Sequence, residues 1–225
     1  EAPPSSKDLA VNYNIFKQFN ALWGYSKQVK SVHLSIFAIS WLWFIGSVML
    51  TQMPALSKFV IMGSKDMSTL LTLTFVVGIC IGSFLTIVSS RGEIELGLVP
   101  IGSMGMTIFG IDLYFIDYGQ AIQGTLSLYE YVIGVGGFAR WRLLFDLTMI
   151  GIFASLYVIP LNALIQARSS NEIRSRIISA NNVMNAIFMV TAAVITMILY
   201  ANGLKTPQIF LVFFIMNFVV ALYVF

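Results

Sequence analysis

Three asparagines close together are the most unusual polar residues in this chain. Asn181 and Asn185 are one helical turn apart, and Asn182 directly follows Asn181. If a helix begins near Ile177, Asn185 lies about 12 Å along its axis, at about 1.5 Å per residue. An amide at that depth in a membrane needs a partner, because an unpaired polar group in hydrocarbon is costly. The pattern predicts either hydrogen bonds between helices or contact with a polar ligand in a wet cavity.

Three other candidates stand in apolar surroundings. Asp146 immediately precedes a long apolar run, where a local salt bridge with Arg142 or the helix dipole would also explain it. Trp41 and Trp43 lie inside the first apolar run, so one of the pair is a candidate to face a cavity. Polar residues at membrane depth are the default functional candidates. We therefore predict a substrate pathway that includes Trp41, Gln52, Asp146, Asn181, Asn182 and Asn185.

The residue types exclude several kinds of chemistry. His33 is the single histidine and Cys80 the single cysteine. A zinc site, a thiol redox pair and a Ser-His-Asp triad within this chain are therefore improbable. We expect no metal, no cofactor, no nucleic-acid partner and no enzymatic activity from this chain.

These candidates must be positioned by membrane-spanning elements. Hydrophobic residues make up 58% of the chain and charged residues only 10%, whereas a soluble domain has roughly 25% charged residues. A spanning helix needs about 20 mostly apolar residues, and six runs without Asp, Glu, Lys or Arg reach or approach that length. The third is short unless it extends through Phe115. The runs cover 31–57, 67–90, 96–111, 147–167, 177–204 and 206–225.

The sequence therefore predicts an all-α membrane protein with six transmembrane helices over 31–225. Before it, 1–30 is predicted to contain the end of a linker, because its first segment, EAPPSSKD, is rich in Pro and Ser. Ile15, Phe19, Leu22 and Trp23 follow helical spacing there and predict an amphipathic helix on the membrane surface. At the other end of the chain, Gly203 is expected to end the fifth span and Pro207 to lie in the first turn of the sixth.

Basic residues indicate the orientation, because cytoplasmic segments of membrane proteins carry an excess of Lys and Arg. With 1–30 in the cytoplasm, the outside segments hold Lys58, Lys65, Arg140, Arg142 and Lys205. The inside segments then hold Lys7, Lys17, Lys27, Lys30, Arg91, Arg168, Arg174 and Arg176. Both ends of the six-helix unit are expected on the cytoplasmic side.

Four segments carry a resemblance to a known family. They read ISWLWFIGSVMLTQMPAL, ELGLVPIGSMG, WRLLFDLTMIGIFASLYVIPLNALIQ and RSRIISANNVMNAIFMV, in this order. Together they resemble the bacterial lysophospholipid transporter family, a branch of the major facilitator superfamily. They are equally similar to the transporter-like domain of 2-acylglycerophosphoethanolamine acyltransferase fusions. The likeness covers nearly the whole chain from about Lys30 onward.

The resemblance implies a fold, an activity and partners. The chain would be the C-terminal six-helix half of a major facilitator, following the end of a central cytoplasmic linker, with the N-terminal half as its partner. The implied activity is inward movement of lysophospholipids, mainly lysophosphatidylethanolamine, across the bacterial inner membrane by alternating access. Membrane lipids and an acyltransferase domain or enzyme are the other expected partners.

Charges in two predicted cytoplasmic loops suggest a gate. We expect switchable ion pairs there, which would close the inner side in one state. The residues are Arg91, Glu93, Glu95, Arg168, Glu172, Arg174 and Arg176.

Other functions remain open. The same six helices could anchor a fused lysophospholipid acyltransferase without transporting anything, or belong to a major facilitator for another amphiphile or drug. An integral-membrane enzyme is the weakest alternative, since no catalytic constellation is visible.

Overall fold

The computed structural model describes residues 23–24, 29–90, 92–118, 131, 137–171 and 173–224. Every element in that part of the chain is a helix. They are α1 (Lys30–Ala55), a π-helical segment (Leu56–Ile61), α2 (Lys65–Ser90), α3 (Leu98–Asp112), α4 (Gly137–Arg168), α5 (Arg174–Ala201) and α6 (Thr206–Val224). Of the four residues that define the predicted amphipathic helix, Trp23 is the one described, and its ring packs 4.5 Å from that of His33. The rest of that helix lies outside the described residues.

Five of the helices are long and apolar enough to cross a membrane: α1 with its π-helical extension, α2, α4, α5 and α6. The third predicted span is the exception, because α3 has only 15 residues. Tighter hydrogen bonds continue its turn at the C-terminal end, from Tyr114 N to Ile111 O and from Phe115 N to Asp112 O. Each of the six predicted runs therefore coincides with an α-helix of the described residues, and the third of these helices is shorter than a usual span.

Local sequence explains two of the helix ends. Pro54 has no N–H to donate to the preceding turn. The regular helix ends one residue later, and a π-helix follows until Met62, which adopts a left-handed conformation with φ 56°. At the α5–α6 turn, Gly203 has φ +83° and Pro207 is the second residue of α6, so the predicted turn is confirmed.

The helices pack as a curved row with two helices behind it. The row runs α2, α4, α1, α5, since α4 packs against both α2 and α1, and α5 packs mainly against α1. Behind the row, α3 packs against α4 and α6, and α6 also contacts α1. The two helices at the ends of the row, α2 and α5, are the least buried of the five long ones.

Glycines allow the α2–α4 contact to be close. A Cβ at Gly78 would overlap the backbone of Thr148, and one at Gly82 would overlap the backbone of Ile152. From the opposite helix, a Cβ at Gly151 would overlap the carbonyl of Phe75. Close backbone approach of this kind is what small residues provide in membrane helices. The contact fixes one edge of the groove described next.

Candidate functional site

A groove of about 420 Å³ opens on the concave side of the row, between α1, α2, α4 and α5. Most of its wall is apolar, with Trp43 and Leu50 from α1 and Phe75 from α2 among the larger side chains. Its polar lining is made of amides and one hydroxyl, and the lining residues carry no charge. These polar residues are Ser155, Asn162, Asn181, Asn182 and Asn185.

The asparagines predicted from the sequence lie together in this groove. Asn181 and Asn185 are buried, and Asn182 is exposed. The side-chain amide of Asn185 is oriented so that its donors face acceptors. In this orientation Asn185 Nδ2 donates to Ser40 Oγ at 2.8 Å and to the backbone oxygen of Asn181 at 3.1 Å. Asn185 Oδ1 accepts from Asn181 Nδ2 and from Trp43 Nε1, each at 3.2 Å. Asn185 therefore joins α5 to α1, whereas Asn182 leaves its amide available in the groove.

Trp41 and Trp43 point to different places. Trp43 lines the groove, whereas Trp41 lines a separate crevice of about 250 Å³ together with Phe188 and Ala221. The indole Nε1 of Trp41 donates to Asn217 Oδ1 at 2.8 Å. The structure therefore separates the predicted pathway residue Trp41 from the asparagine cluster.

Asn217 was not among the residues singled out from the sequence. It is completely buried in α6, and its Nδ2 donates to Ser103 O at 3.1 Å and to Thr107 Oγ1 at 2.9 Å. With the bond from Trp41, this amide joins α1, α3 and α6. Its isolation within the apolar run of the last helix was the available signal.

Gln52 is buried outside the groove lining, where it makes a separate polar contact. Its Oε1 accepts from the hydroxyl of Tyr200 at 2.5 Å, and that hydroxyl also lies 2.9 Å from Thr206 Oγ1. The contact ties the end of α1 to the α5–α6 turn. Gln52 is thus a link between helices in this structure rather than a neighbour of the asparagines.

Asp146 lies in a third place, at the junction of α3 and α4. The structure differs here from the local salt bridge that the spacing of Arg142 and Asp146 suggested. Arg142 pairs instead with Asp112 of α3, with Nε 2.7 Å from Oδ2 and a second bond from Nη2 to Oδ1. The reason is that the α3–α4 packing brings a second carboxylate within reach of the same guanidinium.

Tyrosines lie just beyond this junction. Tyr118 donates its hydroxyl proton to the carbonyl of Leu113 at 2.6 Å, and burial raises the pKa of Tyr118. Burial likewise raises the pKa of Tyr131 to about 12, although Arg140 opposes the shift. Both phenols are therefore neutral at ordinary pH.

The predicted gate charges are partly described. Glu93, Glu95, Arg168 and Arg176 are exposed. Arg174 is half-buried and donates from Nη2 to the carbonyl of Ser169 at 3.3 Å. Among Glu93, Glu95, Arg168 and Arg174 no salt bridge forms in this arrangement. Arg91 and Glu172 lie outside the described residues.

Comparisons with protein-family models, with curated proteins and with solved structures find no match to this chain. The class that the described residues define is a helical protein compatible with several membrane crossings. The resemblance of the four quoted segments to a transporter family stays a prediction.

Proposed function

We propose that this chain is the C-terminal six-helix half of a lysophospholipid transporter of the major facilitator superfamily, located in the bacterial inner membrane. It moves lysophospholipids, mainly lysophosphatidylethanolamine, inward by alternating access. One observation carries the proposal: the groove between α1, α2, α4 and α5 has apolar walls and a cluster of neutral amides.

The lining suits an amphiphile with one hydrocarbon chain. Apolar walls favour a chain, because apolar surface gains free energy when it leaves water. Neutral amides can donate to a phosphate or hydroxyl oxygen and accept from an N–H or O–H group. Since the lining residues have no charge, this half offers hydrogen bonds to a headgroup without a counter-ion. A small inorganic ion would gain little from such a surface.

The groove also has the geometry expected of half a transport pathway. It is concave and bounded by four helices, with α3 and α6 behind them. The least buried long helices, α2 and α5, stand at its two edges. A second six-helix half facing the groove would cover these edges and enclose the substrate. In this proposal α3 crosses the membrane despite its length, so that the unit has six spans.

The experiment uses uptake of labelled lysophosphatidylethanolamine by vesicles that contain the full-length protein. Asn182→Leu removes an exposed groove amide to which no structural hydrogen bond is assigned, so the fold should persist. We expect uptake to fall about tenfold, which corresponds to about 1.4 kcal/mol and lies within the range of about 1–2 kcal/mol that model membrane peptides give for a hydrogen bond.

Asn202→Leu is the matched control, because Asn202 is an exposed amide at the end of the same helix and outside the groove. It should leave uptake unchanged. No uptake by the correctly inserted wild-type protein would contradict transport and favour a membrane anchor for an acyltransferase. Equal uptake by wild type and Asn182→Leu would remove the groove from the pathway.

A further inference from the structure

The junction of α3 and α4 contains two carboxyl groups and one guanidinium. Arg142 is held by both oxygens of Asp112, and each of these two side chains is about one third exposed, at 31% and 32%. Such a two-bond pairing is the strongest geometry available to a guanidinium and a carboxylate. The positive charge of Arg142 is therefore committed to the neighbouring helix.

Among the described residues, Asp146 forms no salt bridge of its own. Its residue is only 1% exposed, and its Oδ2 atom has no hydrogen-bonding partner. The carboxyl of Asp112 on α3 is its acidic neighbour at this junction. Among the described residues, the ionisable groups that face Asp146 are Asp112, Arg142 and the neutral phenol of Tyr118.

This arrangement is unfavourable for two negative charges. A buried carboxylate needs a paired charge or hydrogen bonds, and two adjacent carboxylates that share one positive group cannot both ionise easily. A single proton resolves both problems, because a protonated Asp146 becomes a donor to Asp112. Two carboxyl groups are enough to hold a proton, whereas a hard metal cation requires about six oxygen ligands.

We propose that Asp146 is a proton-binding site, and that the side chain of Arg142 changes its pairing when the proton leaves. With the proton in place, Arg142 pairs with Asp112 and holds α3 against α4. When Asp146 gives its proton to water, it becomes a second carboxylate for Arg142, one helical turn away on α4. The guanidinium of Arg142 then interacts with Asp146 in its own helix, and its ion pair with Asp112 of α3 weakens. The α3–α4 junction thereby becomes sensitive to pH.

The test measures the protonated carboxyl directly and does not depend on transport. Infrared spectra of the full-length protein in lipid bilayers are recorded at neutral pH and after alkalisation. A protonated buried carboxyl gives a C=O stretching band that shifts in heavy water. We expect this band in the wild type, its loss on alkalisation, and its loss in Asp146→Asn.

Two further variants sharpen the result. In Asp112→Asn, Arg142 is free to pair with Asp146, so the band should be lost at neutral pH although Asp146 is still present. Asp66→Asn changes an exposed aspartate in the first turn of α2 and should leave the band unchanged. Persistence of the band in Asp146→Asn would overturn the proposal. So would a wild-type spectrum without the band at neutral pH, which needs no variant to fold.

Discussion

At the scale of single residues, buried amides join the helices of this protein. Asn185 and Asn217 each bond to α1, through Ser40 and Trp43 in one case and through Trp41 in the other. The sequence predicted that Asn181 and Asn185 would need partners. The structure supplies them for Asn185 and for the Nδ2 of Asn181, whereas the buried Oδ1 of Asn181 has no hydrogen-bond partner. The sequence did not predict Asn217, because a single amide in an apolar run has no spacing pattern from which to infer a partner.

Asn217→Leu should destabilise the protein by about 1–3 kcal/mol, the usual cost of leaving a buried polar group unpaired. The indole N–H of Trp41 would lose its acceptor, and α6 would lose its bonds to Ser103 and Thr107 of α3. Thermal unfolding of the protein in detergent measures the effect. Asn202→Leu serves as the exposed control, because the Asn202 amide donates only to Ile198 O of its own helix.

A double substitution separates the hydrogen bond from the packing. Trp41→Phe removes the indole N–H that donates to Asn217, and Asn217→Leu removes its acceptor. Both changes break one hydrogen bond, so their effects on stability should not be additive. Fully additive losses would contradict a direct energetic link between the two side chains. An unchanged unfolding temperature in Asn217→Leu would contradict the role of the amide itself.

At the scale of helices, the least regular element is α3. Its 15 residues span about 22 Å at about 1.5 Å per residue, against about 30 Å of hydrocarbon. The tighter turn through Phe115 adds to this length. Three glycines of α3 face large neighbours. A Cβ at Gly105 would overlap the ring of Phe153, and one at Gly110 would overlap the ring of Phe214. A Cβ at Gly102 would overlap Tyr157.

Labelling of single cysteines decides whether α3 crosses the membrane. In a cysteine-free background, Lys65→Cys places a thiol at the start of α2 and Ser170→Cys places one in the α4–α5 connection, both at exposed positions. If α2, α3 and α4 all cross, the two thiols lie on opposite sides, and a membrane-impermeant reagent added to intact cells should label only Lys65→Cys. Labelling of both would show that α3 does not cross.

At the scale of the whole molecule, the proposed transport requires the cytoplasmic ends of the helices to separate and close. Arg174 is the gate candidate with the most buried side chain, and its Nε has no partner in this arrangement. This N–H can donate to a carboxylate when the N-terminal six-helix half approaches. Glu93 and Glu95, on the α2–α3 connection, are exposed acids that belong to the same predicted cytoplasmic side.

Arg174→Glu should slow lysophosphatidylethanolamine uptake severalfold without changing the unfolding temperature much, because the loss concerns one exposed end of α5. Paired uptake and thermal-unfolding measurements check this. Lys205→Glu reverses a charge at the opposite end of α5 and should leave uptake unchanged. Equal uptake by wild type and Arg174→Glu would remove this arginine from the gate.

Local sequence was enough to predict the described α-helices and the turn between the last two. Apolar runs coincide with the six described α-helices, and Gly203 and Pro207 marked the last turn, because hydrophobicity along the chain and backbone conformation are local properties. Which polar groups meet depends on how the helices pack. The α1–α5 contact sets Asn185 beside Ser40, whereas the two helices behind the row, α6 and α3, set Asn217 beside Trp41 and Asp112 beside Arg142. These pairs join residues far apart in the chain, and local spacing contains no information about which helix faces which.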